Sequence, residues 1–354
     1  MTAFQGNGEF AMETAGQFVE APQHAPVAPV VGVASSPHKS GKLFPLVKKG
    51  ERAAIKRLLD TNPELVAEVD VERNTPLHVA VEAPRNEVAT IQCLLEAGAD
   101  INAKNVLGAA PLHYVALRKD NHRVIANVLL ENGANVHEPA NSGKTALHFA
   151  CEKGIVDLVE VLLLFGADSN ARANEGSTPL FIVLSTPGGR DVVKRDLLSL
   201  LIRFQADPTL RNAQEYTQLH VACSNGYKSC ARALLENPAV DVRALTRSGE
   251  TALHLAVSHG HTTIMQDLLA NCPDLLDIPD GNGNTALHRC ATEGQLECAQ
   301  ELLCLGADAR KKNANNKTPL DLAKVKGTDL TSTHNAELVQ ALKDAKKSGK
   351  CIQQ

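Results

Sequence analysis

The sequence predicts an all-α solenoid of stacked helix-turn-helix units joined by hairpin-like turns, and three observations carry that prediction. A tetrapeptide built on Thr-(Pro/Ala)-Leu-His recurs along the chain. A second motif, Leu-Leu followed by Gly-Ala-Asp or Gly-Ala-Asn, keeps step with it. The core must also be built almost without rings, because 354 residues hold eight Phe, three Tyr and no Trp. Close-packed helices rich in Leu, Ala, Val and Ile then have to supply the buried area that aromatic side chains supply elsewhere.

The tetrapeptide starts at Thr75, Ala110, Thr145, Thr178, Thr217, Thr251, Thr285 and Thr318, at spacings of 35, 35, 33, 39, 34, 34 and 33 residues. The second motif stands at Leu94 to Asp100, Leu129 to Asn135, Leu163 to Asp168 and Leu302 to Asp308. Between the two lie a short helix, a Gly or polar turn, and a second helix, as in Leu147 to Cys151, Gly154, and Val156 to Leu164. Self-similarity at such a period marks a repeat architecture, whose units bury their apolar faces on each other.

Along the chain, residues 1–40 are a different material, with Pro22, Pro26, Pro29 and Pro37 set among small residues without helical period. They read as a flexible arm, either a solubilising tail or the carrier of a short linear motif. Residues 41–70 read as an N-terminal capping unit in which the signature is replaced. Eight signature-bearing units follow. Where it stands first, Thr is a good N-cap; Pro, or Ala in its place, suits the first helical position; Leu enters the core, small Ala lets helices approach, and the Gly of Gly98, Gly133, Gly166 and Gly306 closes the second helix. The last unit, from Thr318, lacks the Gly-Ala-Asp ending and reads as the C-terminal cap, so the array spans 41–347 and 348–354 form a flexible tail.

Period and signature together resemble the ankyrin repeat, over about residues 42–345. The resemblance implies a structural task for His78, His113, His148, His220, His254 and His288, each bonding the turn and nearby backbone. Successive copies stand too far apart to share a zinc ion at ~2 Å bond lengths. It also makes Asn102 and Asn170 resemble sites that asparaginyl hydroxylases modify.

Two irregularities stand out. The unit from Thr178 has the 39-residue spacing, its surplus lies in Ser185 to Arg190, and Phe181 replaces the signature His. Its stretch to Tyr216 is expected to be the weakest of the array. The turn Gly before most signatures becomes Arg73, Glu215 and Asn316 in three units. Arg and Glu tolerate φ > 0 poorly, so those turns should be reshaped or mildly strained.

Composition excludes several function classes. Thirty-six Lys and Arg against 40 Asp and Glu give a net charge of −4, and neither the basic excess nor the stacking rings of a nucleic-acid binder is present. No apolar run reaches the ~18–20 residues that cross a bilayer, and the N-terminus does not read as a secretory signal. Nine scattered Cys without a Cys-x-x-Cys pair suit reduced thiols in a cytoplasmic or nuclear protein. The phosphate-loop, dinucleotide, nucleophile-elbow and zinc-protease motifs are absent from the sequence. No cofactor or metal is expected.

The resemblance implies a non-enzymatic protein–protein interaction scaffold, a monomer that binds partner proteins on the concave face of fingertips and groove. Alternatives are an inhibitory regulator that masks its partner, or a membrane-targeted adaptor lipidated at Cys351. Cys351 stands four from the end among Lys343, Lys346, Lys347 and Lys350; Gln354 suits farnesylation, while Gln353 departs from the aliphatic residue expected there. Fingertips and helix ends vary most between units. Among them Tyr216 and Arg247 are the expected anchors, with Leu107, Arg118 and Glu250 as further contacts.

Overall fold

The computed structural model describes residues 41–83, 88–326 and 333–348. The arm 1–40, and Cys351 with the tail beyond Ser348, lie outside the described residues. Among these residues every regular element is an α- or 3₁₀-helix. Leu43–Lys49 and Arg52–Thr61 make a first antiparallel pair, and a pair follows each tetrapeptide, such as Ala146–Lys153 with Val156–Leu164. We number these units 1 to 8 by their tetrapeptides, and call the turn before each one its finger.

The repeated Leu builds a continuous core. Leu77, Leu112, Leu147, Leu180, Leu219, Leu253, Leu287 and Leu320 are all buried, as are Ala80, Ala150, Ala222, Ala256 and Ala291 beside them. A fully buried Leu contributes about 1.5–3 kcal/mol. Since each unit packs on its neighbours, the array holds together by that recurring contact.

The signature His is a helix cap. In unit 3 the Thr145 amide donates to His148 Nδ1 at 3.1 Å, and Thr145 Oγ1 lies 2.9 Å from the same nitrogen. A ring nitrogen that accepts from an amide is unprotonated, so Nε2 carries the hydrogen. It reaches the next unit at Ala171 O (3.1 Å) and Ser177 O (3.3 Å). His78, His254 and His288 likewise reach Ala109 O, Asn284 O and Lys317 O. In unit 8 Asp321 takes the place of the ring, accepting from the Thr318 amide at 3.0 Å and its hydroxyl at 2.8 Å. Burial lowers the pKa of all six signature rings, that of His220 to about 4, so they are neutral caps.

The exceptional turns keep their geometry. Arg73, Glu215 and Asn316 sit at φ 59°, 64° and 58°, in the left-handed region that glycine occupies in the other fingers. Thus the turns are not reshaped, and Arg73 and Glu215 carry the strain. Gln205 is a further case. It stands where the second helix of other units ends on Gly, at φ 65°, and its amide still bonds Ile202 O at 2.9 Å.

Candidate functional site

The fingers form a ledge through backbone hydrogen bonds between neighbours. Val106 N donates to Glu72 O, Asn141 N to Leu107 O and Asn174 N to Ser142 O, at 2.9, 2.9 and 3.0 Å. Further along, Arg247 N reaches Gln214 O, Gly281 N reaches Ser248 O and Ala314 N reaches Asn282 O. These bonds fix the spacing of the side chains between them, so the ledge is pre-organised for a partner. At the base, Asn102 and Asn170 staple units together: each side chain donates to one carbonyl (Gly133 O, Gln205 O) and accepts one amide (Asn135 N, Asp207 N) of the next unit.

The sequence-predicted contacts fall into different environments. Leu107 is 66 % exposed at its fingertip, and the Arg247 side chain is exposed. Tyr216 is half-buried, packed on the core with its ring edge-on to His220 at 5.9 Å. Glu250 is committed: its Oε1 lies 2.6 Å from Arg289 Nη2, which also takes Asp280 Oδ2 at 2.8 Å, while Ser248 donates to Oε2. Asp280 and Glu250 belong to adjacent fingers, so this bridge fastens fingers 6 and 7.

Arg118 is the correction. Expected at an exposed helix end, it is only 5 % exposed. The first helix of unit 2 stops early, at Tyr114, and runs into a 3₁₀ turn, Val115–Leu117, which turns the Arg118 side chain towards unit 1. There Nη1 donates to Val81 O at 2.5 Å and Ala83 O at 3.0 Å, satisfying carbonyls at the end of Pro76–Glu82. A cation bonded to these last carbonyls caps the helix. Arg118 is a structural residue.

A groove of about 430 Å³ lies where fingers 3 and 4 meet the first helices of their units. Lys144, Asn174 and Glu175 line it from the fingers, Glu152 and Ile182 from the helices, and Thr186 and Pro187 from the inserted segment. Lys144 Nζ holds Glu152 Oε2 at 2.7 Å across it. The sequence marked these positions as variable but favoured larger side chains elsewhere. What it lacked was the way the 185–190 surplus folds up to make a wall.

The opposite edge of units 4 and 5 is tightly tied. Lys194, 6 % exposed, donates to Val183 O at 2.6 Å and Thr186 O at 2.7 Å and lies 4.5 Å from the Tyr227 ring centroid. From unit 5, Asn225 Nδ2 reaches Leu184 O, Tyr227 Oη reaches Thr186 O, and Ser229 N donates to Asp191 Oδ2. Among the described residues no group of His, Cys, Asp and Glu has a metal-binding arrangement, and no helix is long and apolar enough to cross a membrane. The eight described cysteines are free thiols.

Comparison with known proteins matches the family described as ankyrin repeats (three copies) to residues 112–195 and 191–278, and single ankyrin repeats to 72–106 and 282–314. The chain is 32 % identical over 165 residues to a putative ankyrin repeat protein of Fowlpox virus, covering 45 % of this chain and 46 % of that one. It is 30 % identical over 206 residues to an Arabidopsis thaliana E3 ubiquitin-protein ligase, covering 58 % and 37 %, and 40 % identical over 112 residues to the human B-cell lymphoma 3 protein, covering 31 % and 24 %. It spans less than half the length of each of these relatives. A solved ankyrin repeat domain from Acinetobacter baumannii superposes with TM-score 0.50 at 28 % identity, covering 56 % of this chain and 97 % of that one.

Proposed function

The chain belongs to the ankyrin-repeat family, and on that premise we propose that it is a non-enzymatic scaffold whose fingers and groove hold a partner protein. Ankyrin repeats are in general protein–protein interaction modules, and the arrangement of this array suits that use. The observation that carries the reading is the backbone-bonded ledge, which presents variable side chains from a fixed framework. Binding to such a surface loses little conformational entropy on the scaffold side. The groove of units 3 and 4 is the proposed seat for a polar stretch of the partner, with Lys144, Asn174 and Glu175 as its contacts. Leu107 and Arg247 are proposed as exposed contacts on either side, and Tyr216 offers a ring edge. The scaffold acts as a monomer without cofactor in a reducing compartment, cytoplasm or nucleus, where its free thiols persist.

The test is quantitative capture of partners from cell extract by the wild type and by a Leu107→Asp/Arg247→Glu variant. Both side chains are exposed, so the variant keeps its fold, verified by an unchanged far-UV spectrum. Recovery should fall at least ~10-fold, the loss expected when an anchor worth about 2 kcal/mol is removed. Undiminished recovery by the folded variant refutes this placement. Tyr216→Ala is the poorer probe, because it also removes packing on His220.

A further inference from the structure

The net charge of −4 conceals a sharp step. Residues 252–308 carry eight carboxylates and one cation, Arg289, whereas residues 309–350 carry ten cations and four carboxylates. Half of the acidic side is compensated by ion pairs, three of them across unit junctions and the Asp280 pair within unit 7. Asp267 pairs with Arg232, Asp274 with Arg243, Asp280 with Arg289 and Asp277 with Lys311. The basic side is not. Lys312, Lys317, Lys324, Lys343, Lys346 and Lys347 are exposed, and none is within 4.0 Å of a carboxylate among the described residues.

These lysines come from the finger and both helices of unit 8, and the fold draws them together. Arg310 Nε donates to Lys346 O at 3.3 Å, which ties the segment that leads into the finger, two residues before Lys312, to the end of the last helix. Lys324 and Lys346 both act on the Asp321 carboxylate, which is already engaged by the Thr318 amide and hydroxyl. Asp344 accepts from Gln340, leaving Glu337 as the exposed carboxylate of this face. Among the described residues the exposed lysines outnumber the exposed carboxylate six to one, so the face is predominantly positive.

We propose that this face of unit 8 docks onto the anionic headgroups of a lipid bilayer, as a site separate from the fingers and groove. Nine of the ten cations are Lys and one is Arg. Lysine is a compact, hydrated point charge without the planar fork that reads a carboxylate or phosphate in two bonds. No Phe, Tyr or Trp occurs between 309 and 354, so the face offers none of these rings for a base to stack on. Many point charges spread over three elements, with one fork at Arg310 and no aromatic ring, suit a plane of mobile headgroups better than a shaped macromolecule. Clusters of this size bind acidic lipid by summed attraction that decays within a Debye length.

The experiment uses the full chain carrying Cys351→Ser, so that no lipid anchor contributes. It is sedimented with vesicles of phosphatidylcholine alone and with vesicles containing phosphatidylserine, at about 0.05 M and about 0.5 M salt. Binding to the anionic vesicles is expected at low salt, with its loss at high salt and on neutral vesicles. Each lysine contributes about a fivefold factor, so Lys343→Gln/Lys346→Gln/Lys347→Gln weakens binding about 100-fold, while the matching triple Arg variant retains it. The Lys312→Gln/Lys317→Gln variant, on a different element, loses about 25-fold. Equal binding to neutral vesicles, undiminished binding by the folded triple Gln variant, or capture of soluble polyglutamate or duplex DNA without vesicle binding each overturns the proposal. The Leu107→Asp/Arg247→Glu variant keeps its vesicle binding, which separates this site from the partner-binding ledge.

Discussion

Units 3 and 4 are consecutive and share one core, yet each is fastened to its successor along a different edge of the stack. Unit 3 holds unit 4 at the fingers, through His148 Nε2 and the Asn174 N to Ser142 O bond. Unit 4 has Phe181 in place of His, and no backbone bond joins its finger, 173–177, to the finger of unit 5, 212–216. A Cβ built on Gly108, Gly143, Gly249 or Gly283 meets the next finger within 2.3–2.8 Å, whereas one on Gly176 meets nothing within 4 Å. The ties of unit 4 lie instead at the far end of its first helix, where Lys194, Asn225, Tyr227 and Asp191 clamp the inserted segment. Polar fastening can therefore move from one edge of a stack to the other while the apolar core stays continuous. The edge left without bonds is the one that can open.

Substitution at the two finger glycines gives the widest contrast. Gly143→Ala places Cβ 2.4 Å from Asn174 Oδ1 and 2.6 Å from its backbone nitrogen, at φ 74°. It should cost about 3 kcal/mol in urea unfolding, because the ledge must separate there. Gly176→Ala shares the φ of 74° but has open space, and should cost only the ~1 kcal/mol of the left-handed backbone. Equal costs would mean that fingers 4 and 5 pack after all. Next in size is Lys194→Met. It strands the Val183 carbonyl, leaves Thr186 O with Tyr227 Oη alone, and should destabilise by about 2 kcal/mol. Hydrogen exchange should show the loss confined to residues 179–230. A uniform change along the array, or none, would contradict the clamp.

Acid should also separate the two units. A buried ring whose pKa lies below its ordinary 6.5 gives stability that is complete above about pH 6.5 and is lost as pH falls towards the folded value, about 4 for His220. Unit 3 depends on such a ring and unit 4 does not. Between pH 7 and 4.5, amides of 146–164 should lose more protection than those of 179–203. Replacing His148 by Phe, as in unit 4, should make the pH dependence shallower. An unaltered slope would show that His148 is not held neutral.

The sequence made the repeated parts legible because each unit restates the same local chemistry. Thr before His gives the cap, Leu the core, and Gly the left-handed end, and eight copies average out local accident. Arg118 and Lys194 were not legible. Both are charged residues near an irregular loop, where exposure is the ordinary expectation, and both turn inward to satisfy carbonyls of a helix that has no glycine cap. Gln205 escaped for a related reason: the second motif was recognised by its Gly, and here the backbone keeps the Gly conformation under another side chain. The groove depends on where the 185–190 surplus folds, and no periodic signal encodes that.

Amide hydrogen exchange at Ala213 tests the comparison most directly. Ala213 holds the place in finger 5 that Asn141, Asn174 and Gly281 hold in theirs, and theirs are the amides that donate to the preceding finger. Residue-resolved exchange should show Ala213 unprotected and those three protected, with unchanged protection in the buried helices on either side. Protection of Ala213 equal to that of Asn174 would mean that the fingers of units 4 and 5 are bonded like the rest, and the shift of fastening from one edge to the other would be wrong.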